Sequence, residues 1–383
     1  RGLGDVYKRQ KVRGSFTEVG SPVSRSGMTP GTITTPILGG SLKSTDIYPF
    51  TDYKAERTKS YELGLTARFF KKLSFDFTWY KSNTYNQTFI GELPESSGYK
   101  AVYLQAGNVE NRGVEMTLGY HDNFGELGWN SSLTYSHNNN EIIEMVKDYT
   151  HPMSPKPINI PQVSKDNGRV ILKVGGSIND IYANKFLAKD NQGFINVTSS
   201  GGFNVENVDP VYLGKTTPDF TMGWNNSFSY KGFGLSFLIN ARVGGVVTSS
   251  TQALLDKFGV SQASADARDA GGVLIPEQGV FDAKNYYNLI GTGETALAGY
   301  YTYSATNVRL QELTFSYKFN SRWFNNVVKD LTLSFVANNP WMIYCKAPFD
   351  PEVTPSTGTY GQGNDYFMQP SLKSYGFSVK FKF

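Results

Sequence analysis

Apolar and polar residues alternate with a period of two along much of this chain. "LSFDFTWY" sets Leu73, Phe75, Phe77 and Trp79 on one phase, and Asp76, Thr78 and Tyr80 on the other. "KSYELGLTARFF" precedes it with Tyr61, Leu63, Leu65, Ala67 and Phe69 on one side, and Lys71 and Lys72 turn the chain. The scheme recurs in "RGVEMTLGYH" and "LGWNSSLTYS", joined at "DNFGE", and again in "FTMGWNNSFSY" and "FGLSFLINARVG" around Lys231 and Gly232. A fourth pair, "VRLQELTFSYKF" and "DLTLSFVANN", slips phase between Leu310 and Leu313, which fits a bulge. The chain ends on "SYGFSVKFKF", with Tyr375, Phe377, Val379, Phe381 and Phe383 in one phase. Period two is the signature of strands.

What separates these segments alternates between very short and very long. The stretches 83–108, 140–217, 248–302 and 339–371 far exceed the usual connection of about 4 to 6 residues. Every short turn falls at the end where the chain terminates. Short turns at one end and long loops at the other describe an outer-membrane barrel. Alternation alone also fits a soluble sheet with one wet face, but a sandwich distributes its loops over both ends. The predicted class is therefore all-β: the C-terminal part of an antiparallel transmembrane β-barrel, with about nine to twelve strands here. The upper figure allows for a further hairpin around "RVILKVGG".

Composition sharpens this picture. The 383 residues hold 14% aromatics and 39 glycines, which favour strands and tight turns. No window of about 18 apolar residues marks a membrane helix, and a mean hydropathy of −0.36 suits a polar lumen with wet loops. The net charge of +4 is spread without a basic run, so nucleic acid is a poor partner. The first ten residues, "RGLGDVYKRQ", resemble translated adapter read-through and are expected to be non-native, leaving 11–383 as the protein itself.

Candidate chemistry is thin. His121, His137 and His151 lack metal or triad spacing, and the single Cys345 can form neither an intramolecular disulfide nor a Cys-based metal site. "GTGETA" at 291–296 lacks the third glycine of a phosphate loop, and Asp350 and Glu352 suit loop organisation better than acid–base work. No catalytic residue, metal or cofactor is read, and the chain is not expected to be an enzyme. Aromatics in the long segments are more informative: Tyr99, Tyr103, Tyr286, Tyr287, Tyr300, Tyr301, Tyr360 and Tyr366. Such rings beside amides suit sugar rings or peptides, and they equally suit packing of loops on one another.

Two groups of motifs resemble a known family. "KSYELGL" followed by "AGNVENRGVEMTLGY" is similar to the Glu-Xaa-Gly and Asn-Xaa-Gly-Xaa-Glu strands of TonB-dependent receptors, here Tyr61 to Gly64 and Asn111 to Glu115. "NVRLQELTFSYKF" with "VANNPWMIYCKAPFDPEV" resembles the closing region of the SusC/RagA-like branch, including the loop motif Asp350, Pro351, Glu352. Pro340 and Trp341 stand where Asn-Leu-Trp is usual. The resemblance implies a barrel of roughly 22 strands, of which this chain is the C-terminal portion without the plug domain. It implies TonB-dependent import of oligosaccharides or peptides at the cell outer membrane. Implied partners are a SusD-like surface lipoprotein, the TonB–ExbB–ExbD complex through the N-terminal region, and outer-membrane lipid. Tyr375, Phe377, Val379, Phe381 and Phe383 resemble the terminal signal read by the barrel assembly machinery. A passive porin or adhesin barrel and a soluble glycan-binding protein remain alternatives.

Overall fold

The structure is a computed structural model, and it describes residues 8–22, 47–48, 54–92, 101–149, 158–165, 169–291, 297–320, 328, 330–353, 355 and 362–382. Ten long strands succeed one another in one sheet, in chain order and antiparallel throughout. They are β1 (Lys8–Ser21), β2 (Glu56–Phe69), β3 (Leu73–Glu92), β4 (Ala101–Phe124) and β5 (Leu127–Glu144). Then follow β6 (Phe220–Tyr230), β7 (Phe233–Val243), β8 (Asn307–Phe319), β9 (Asp330–Cys345) and β10 (Ser374–Lys382). Ile47–Tyr48 adds a short parallel pairing to β4. No described helix is long and apolar enough to cross a membrane.

Register explains the alternation. Phe75, Leu118, Leu133, Trp224, Ile239, Leu310 and Trp341 stand in one row across seven strands. The row next to it holds Thr66, Asp76, Thr117, Thr134, Gly223, Asn240 and Arg309. At this level one face is thus apolar and the other polar from strand to strand. On β10 every described residue is exposed, and Phe377 reaches 87%. Asn226 interrupts the apolar face, where Trp129 covers it and donates Nε1–H to its Oδ1 at 3.2 Å. Further along that face the apolar run ends in charge. Lys81 follows Trp79 and pairs with Glu110 at 2.9 Å, while Arg112 lies 3.8 Å from Glu141.

The turns sit at one end. Lys231 and Gly232 join β6 to β7, both with positive φ (46° and 92°), the type I′ geometry that matches strand twist. Gly125 and Glu126 join β4 to β5. The predicted phase slip is a bulge: Gln311 is an extra residue on β8, because Leu310 pairs with Ile239 and Glu312 with Leu238 on β7, and across the other edge Asn339 and Pro340 of β9 together face it. Pro340 has no N–H to lose from the ladder, and Asn339 takes a φ of 48°.

Three expectations change. The segment 83–108 is largely strand, since β3 and β4 stay paired from Leu73 opposite Tyr120 to Glu92 opposite Ala101. Its upper part is held by a core of Phe89, Leu104, Val109, Ile142, Val163, Val170 and Leu172. Alternation fails there because neither face meets lipid. "RVILKVGG" is also not wall: Val170–Lys173 belongs to a four-stranded sheet with Gln162–Lys165, Asp180–Leu187 and Val205–Lys215. Residues 244–306 are not irregular but carry α1 (Ser250–Lys257), α2 (Gln262–Asp269) and α3 (Ala283–Ile290). Ser249, Ser261 and Asp282 cap them, each accepting a backbone N–H three residues on.

Candidate functional site: the polar wall and the loop cap

The polar face is built around side chains laid flat across neighbouring strands. Arg13 on β1 reaches over β2 to β3, where its Nη1 and Nη2 donate to Asp76 at 3.1 and 2.8 Å. The same guanidinium donates to Thr66 Oγ1 at 2.8 Å and Thr78 Oγ1 at 2.5 Å. This requires Gly64: a Cβ there would collide with the Arg13 side chain. Gly113 has a matching role, since a Cβ would meet the Tyr80 ring. Tyr80 Oη donates to Asn138 Oδ1 at 3.0 Å, and Asn138 and Asn140 both donate to Asn111 Oδ1, at 3.2 and 3.0 Å. Asn140 Oδ1 then accepts from Ser177 Oγ and the Ile178 N–H, both at 3.0 Å, tying the wall to the loops. The glycines and carboxylates of the two strand motifs so gain physical meaning. Gly64 and Gly113 clear the surface, and Glu62 and Glu115 line a recess of about 480 Å³ with Arg13, Asp76 and Tyr80.

At the other end of the same polar row stands Arg309, only 6% exposed. Its Nη2 lies 2.8 Å from Asp350 Oδ1 and 3.2 Å from Glu352 Oε2, and Nη1 donates to Ser371 Oγ at 3.2 Å. Asn307, two residues earlier on the same face, donates to Glu352 Oε1 at 3.2 Å. Burial alone raises the Asp350 carboxyl, but hydrogen bonds from Arg309 and Ser371 outweigh it and hold the group below its ordinary range. The motif Asp350, Pro351, Glu352 therefore anchors the last long loop to the wall. Sequence reading paired no partner with it. The available signal was the Asn307-Xaa-Arg309 spacing, which puts an amide and a guanidinium on one strand face.

The loops fold into a cap with one shared core. Leu187 and Phe203 from the 145–219 link pack with Ala253, Ile275, Ile290, Leu297 and Tyr301 from the 244–306 link. Gln278 clamps Ile195 in both directions, at 2.9 and 2.8 Å. The third loop joins through Ser249 Oγ, which donates to Asp365 Oδ2 at 2.6 Å, and through the Tyr303 and Phe349 rings, 5.6 Å apart.

This core gathers several of the aromatics expected to meet a ligand. Tyr286, Tyr287 and Tyr300 are half-buried against it, and burial pushes the Tyr286 hydroxyl up to about 12. Tyr301 is corrected to a packing residue: it is 2% exposed and its hydroxyl donates to Asp256 Oδ2 at 2.9 Å. Tyr103 lies on β4 opposite Ile90, not in a loop. Tyr366 is 54% exposed, with the Phe367 ring 5.4 Å away. Tyr99, Tyr360 and Phe383 lie outside the described residues, as do residues 1–7; Lys8, Arg9 and Gln10 open β1. Tyr375, Phe377, Val379 and Phe381 share the apolar face of β10, opposite Ala337, Phe335, Leu333 and Leu331.

Comparison with known proteins gives this wall a context. The family described as TonB dependent receptor-like, beta-barrel matches residues 4–245. TonB-dependent receptor P3 of Formosa agariphila is 23% identical over 355 residues, 86% of this chain and 34% of that protein. TonB-dependent receptor SusC of Bacteroides thetaiotaomicron is 23% identical over 323 residues, 78% of this chain and 30% of that protein. The chain spans about a third of the length of these relatives. Among solved structures, the RagAB peptide importer in its closed-closed state superposes with a TM-score of 0.71 at 17% identity. That match covers 97% of this chain and 41% of the other. The apolar outer row, the polar inner row and the one-ended turns are what such a barrel needs, and the chain belongs to the TonB-dependent receptor-like β-barrel family of the outer membrane.

Proposed function

We propose that the protein imports oligosaccharides or peptides across the outer membrane, powered through TonB, together with a SusD-like surface lipoprotein. The observation that carries this reading is the continuous polar face, from Arg13 and Asp76 to Arg309, beneath loops folded into one cap. A polar wall offers donors and acceptors to a hydrated substrate, and an ordered cap selects what enters it. Kinship with proteins named TonB-dependent receptors supports the coupling to TonB, and the fold shared with the RagAB peptide importer supports a peptide or similar polymer as cargo. A plug domain upstream of this segment gates the passage and carries the contact to the TonB complex. Exposed loop rings such as Tyr366 meet the cargo, while the buried ones keep the cap in shape.

The test is uptake by cells carrying the full-length receptor, supplied with labelled oligosaccharide or peptide pools. Uptake lost on removal of TonB supports active import. Uptake that persists without TonB assigns the barrel to passive diffusion instead. Co-purification of a surface lipoprotein with the receptor tests the partnership separately.

A further inference from the structure

A recess of about 800 Å³, larger than the one beside Arg13, lies on the inner face near the turns. Register places it there. Arg68, Ser74, Gly119, Ser132 and Asn225 stand in one row across β2 to β6, two residues nearer the turns than the row of Thr66 and Asp76. His121, Asn130 and Ser227 form the next row down. Both rows share the polar phase of Asp76 and Thr134, so they face the lumen. Each of these five strands has a wall neighbour on both sides. Closing the barrel therefore adds no strand over the recess, and only what the lumen holds can cover it.

The chemistry of the lining is one-sided. Its floor is made of small hydroxyls and amides, and Gly119 clears it, since a Cβ there would lie 2.5 Å from Ser74 Oγ. Arg68, Lys71, Lys72 and His121 also line it, and no carboxylate does. Arg9 lines it too, within the stretch expected to be non-native. The carboxylates nearest along the chain are engaged elsewhere: Asp76 by Arg13 at 2.8 Å, and Asp122 by Lys72 at 2.7 Å. The side chains of Arg68 and His121 are exposed and make no hydrogen bond or ion pair among the described residues.

A concave surface lined with donors and uncompensated cations matches carboxylates, which accept paired hydrogen bonds from a guanidinium. The chain spans about a third of the length of its relatives, and the RagAB match covers 41% of that importer chain, so more than half of such a receptor lies outside these strands. We propose that an acidic patch of the plug domain, upstream of this segment, seats in the recess, with carboxylates on Arg68, Lys71 and His121. The seat presupposes the plug of the proposed function and adds a place and a charge to it. Its ion pairs form a latch at the turn end of the lumen, which opens before cargo can leave that way.

Full-length receptor carrying a benzophenone amino acid in place of Asn225 tests the seat. Irradiation should capture a peptide from upstream of this segment that contains Asp or Glu. Arg68→Glu should lower the yield about tenfold, as expected for loss of one hydrogen bond to a charged group, while Arg68→Lys should retain most of it. Salt near 1 M, where the screening length falls to about 3 Å, should lower the wild-type yield as well. Reversing the captured carboxylate to Lys in the Arg68→Glu background should restore capture. Heat-shifted gel mobility reports that each variant folds. Planar-bilayer recording separates this seat from the plug itself. A receptor that blocks ions yet gives no upstream capture from Asn225, or a yield unchanged by Arg68→Glu and by salt, would overturn the seat alone. Free conduction, with no upstream capture from Asn225 or from a second inner position, Asn240, would remove the plug and the seat with it. Capture only of an added acidic oligosaccharide would also overturn the proposal, assigning the recess to cargo.

Discussion

The Arg309 guanidinium on β8 lies 2.8 Å from the Asp350 carboxylate, 41 residues later in the chain, and both side chains are 7% exposed. This pair fastens the last loop onto the polar wall. A buried ion pair is weak evidence of net stability, but removing one partner strands the other. Arg309→Ala should therefore loosen the loop by about 3–5 kcal/mol, read as faster protease cleavage within 346–373. The wall should keep its heat-shifted mobility. A cleavage rate equal to wild type would remove the anchoring role.

Acid acts on the same pair with a defined sign. The folded Asp350 carboxyl lies below its ordinary value of 3.8, so its contribution is complete above that value and is lost as pH falls through the folded one. Hydrogen exchange of loop amides should be protected to the same degree at neutral and mildly acidic pH, then deprotected in stronger acid. In Asp350→Asn this acid limb should disappear.

Gly64 and Arg13 should behave as one unit. Gly64→Ala drives a methyl into the Arg13 side chain and should lower the temperature of heat-induced mobility change. In an Arg13→Ala background the same substitution should cost little. Additive effects of the two changes would contradict the packing described.

Two tyrosines of the cap should separate by role. Tyr301→Phe leaves a buried Asp256 oxygen without its donor and should destabilise the cap by about 1–3 kcal/mol. Tyr366→Ala should leave cap stability unchanged while reducing cargo uptake. A stability loss at Tyr366 matching that at Tyr301 would place both in packing.

The wall was legible from sequence because lipid on one side and water on the other impose strict alternation, as in Leu73 to Trp79. β1 was not seen, since Lys8 and Gln10 share the phase of Val12 and Phe16 and blur the pattern. The upper halves of β3 and β4 escaped for a related reason: above the lipid, Asn83, Asn86 and Gln87 need no apolar partner phase. The three capped helices are eight residues each, about two turns, too short to carry a sustained 3.6-residue stripe. Ring counts marked aromatic segments, but sequence does not tell whether Tyr301 faces a core or Tyr366 faces water. The Arg309 and Asp350 contact was beyond reach because it joins residues far apart in the chain through the fold.

The central claim is that these strands have a lipid face and an inner face. A nitroxide scan along β7, from Phe233 to Val243, in the full-length receptor within lipid vesicles tests it most directly. Collisions with oxygen, which partitions into lipid, should peak at Leu235, Phe237 and Ile239 and fall at Ser236, Leu238 and Asn240. A flat profile, or oxygen maxima at the second set, would contradict the account.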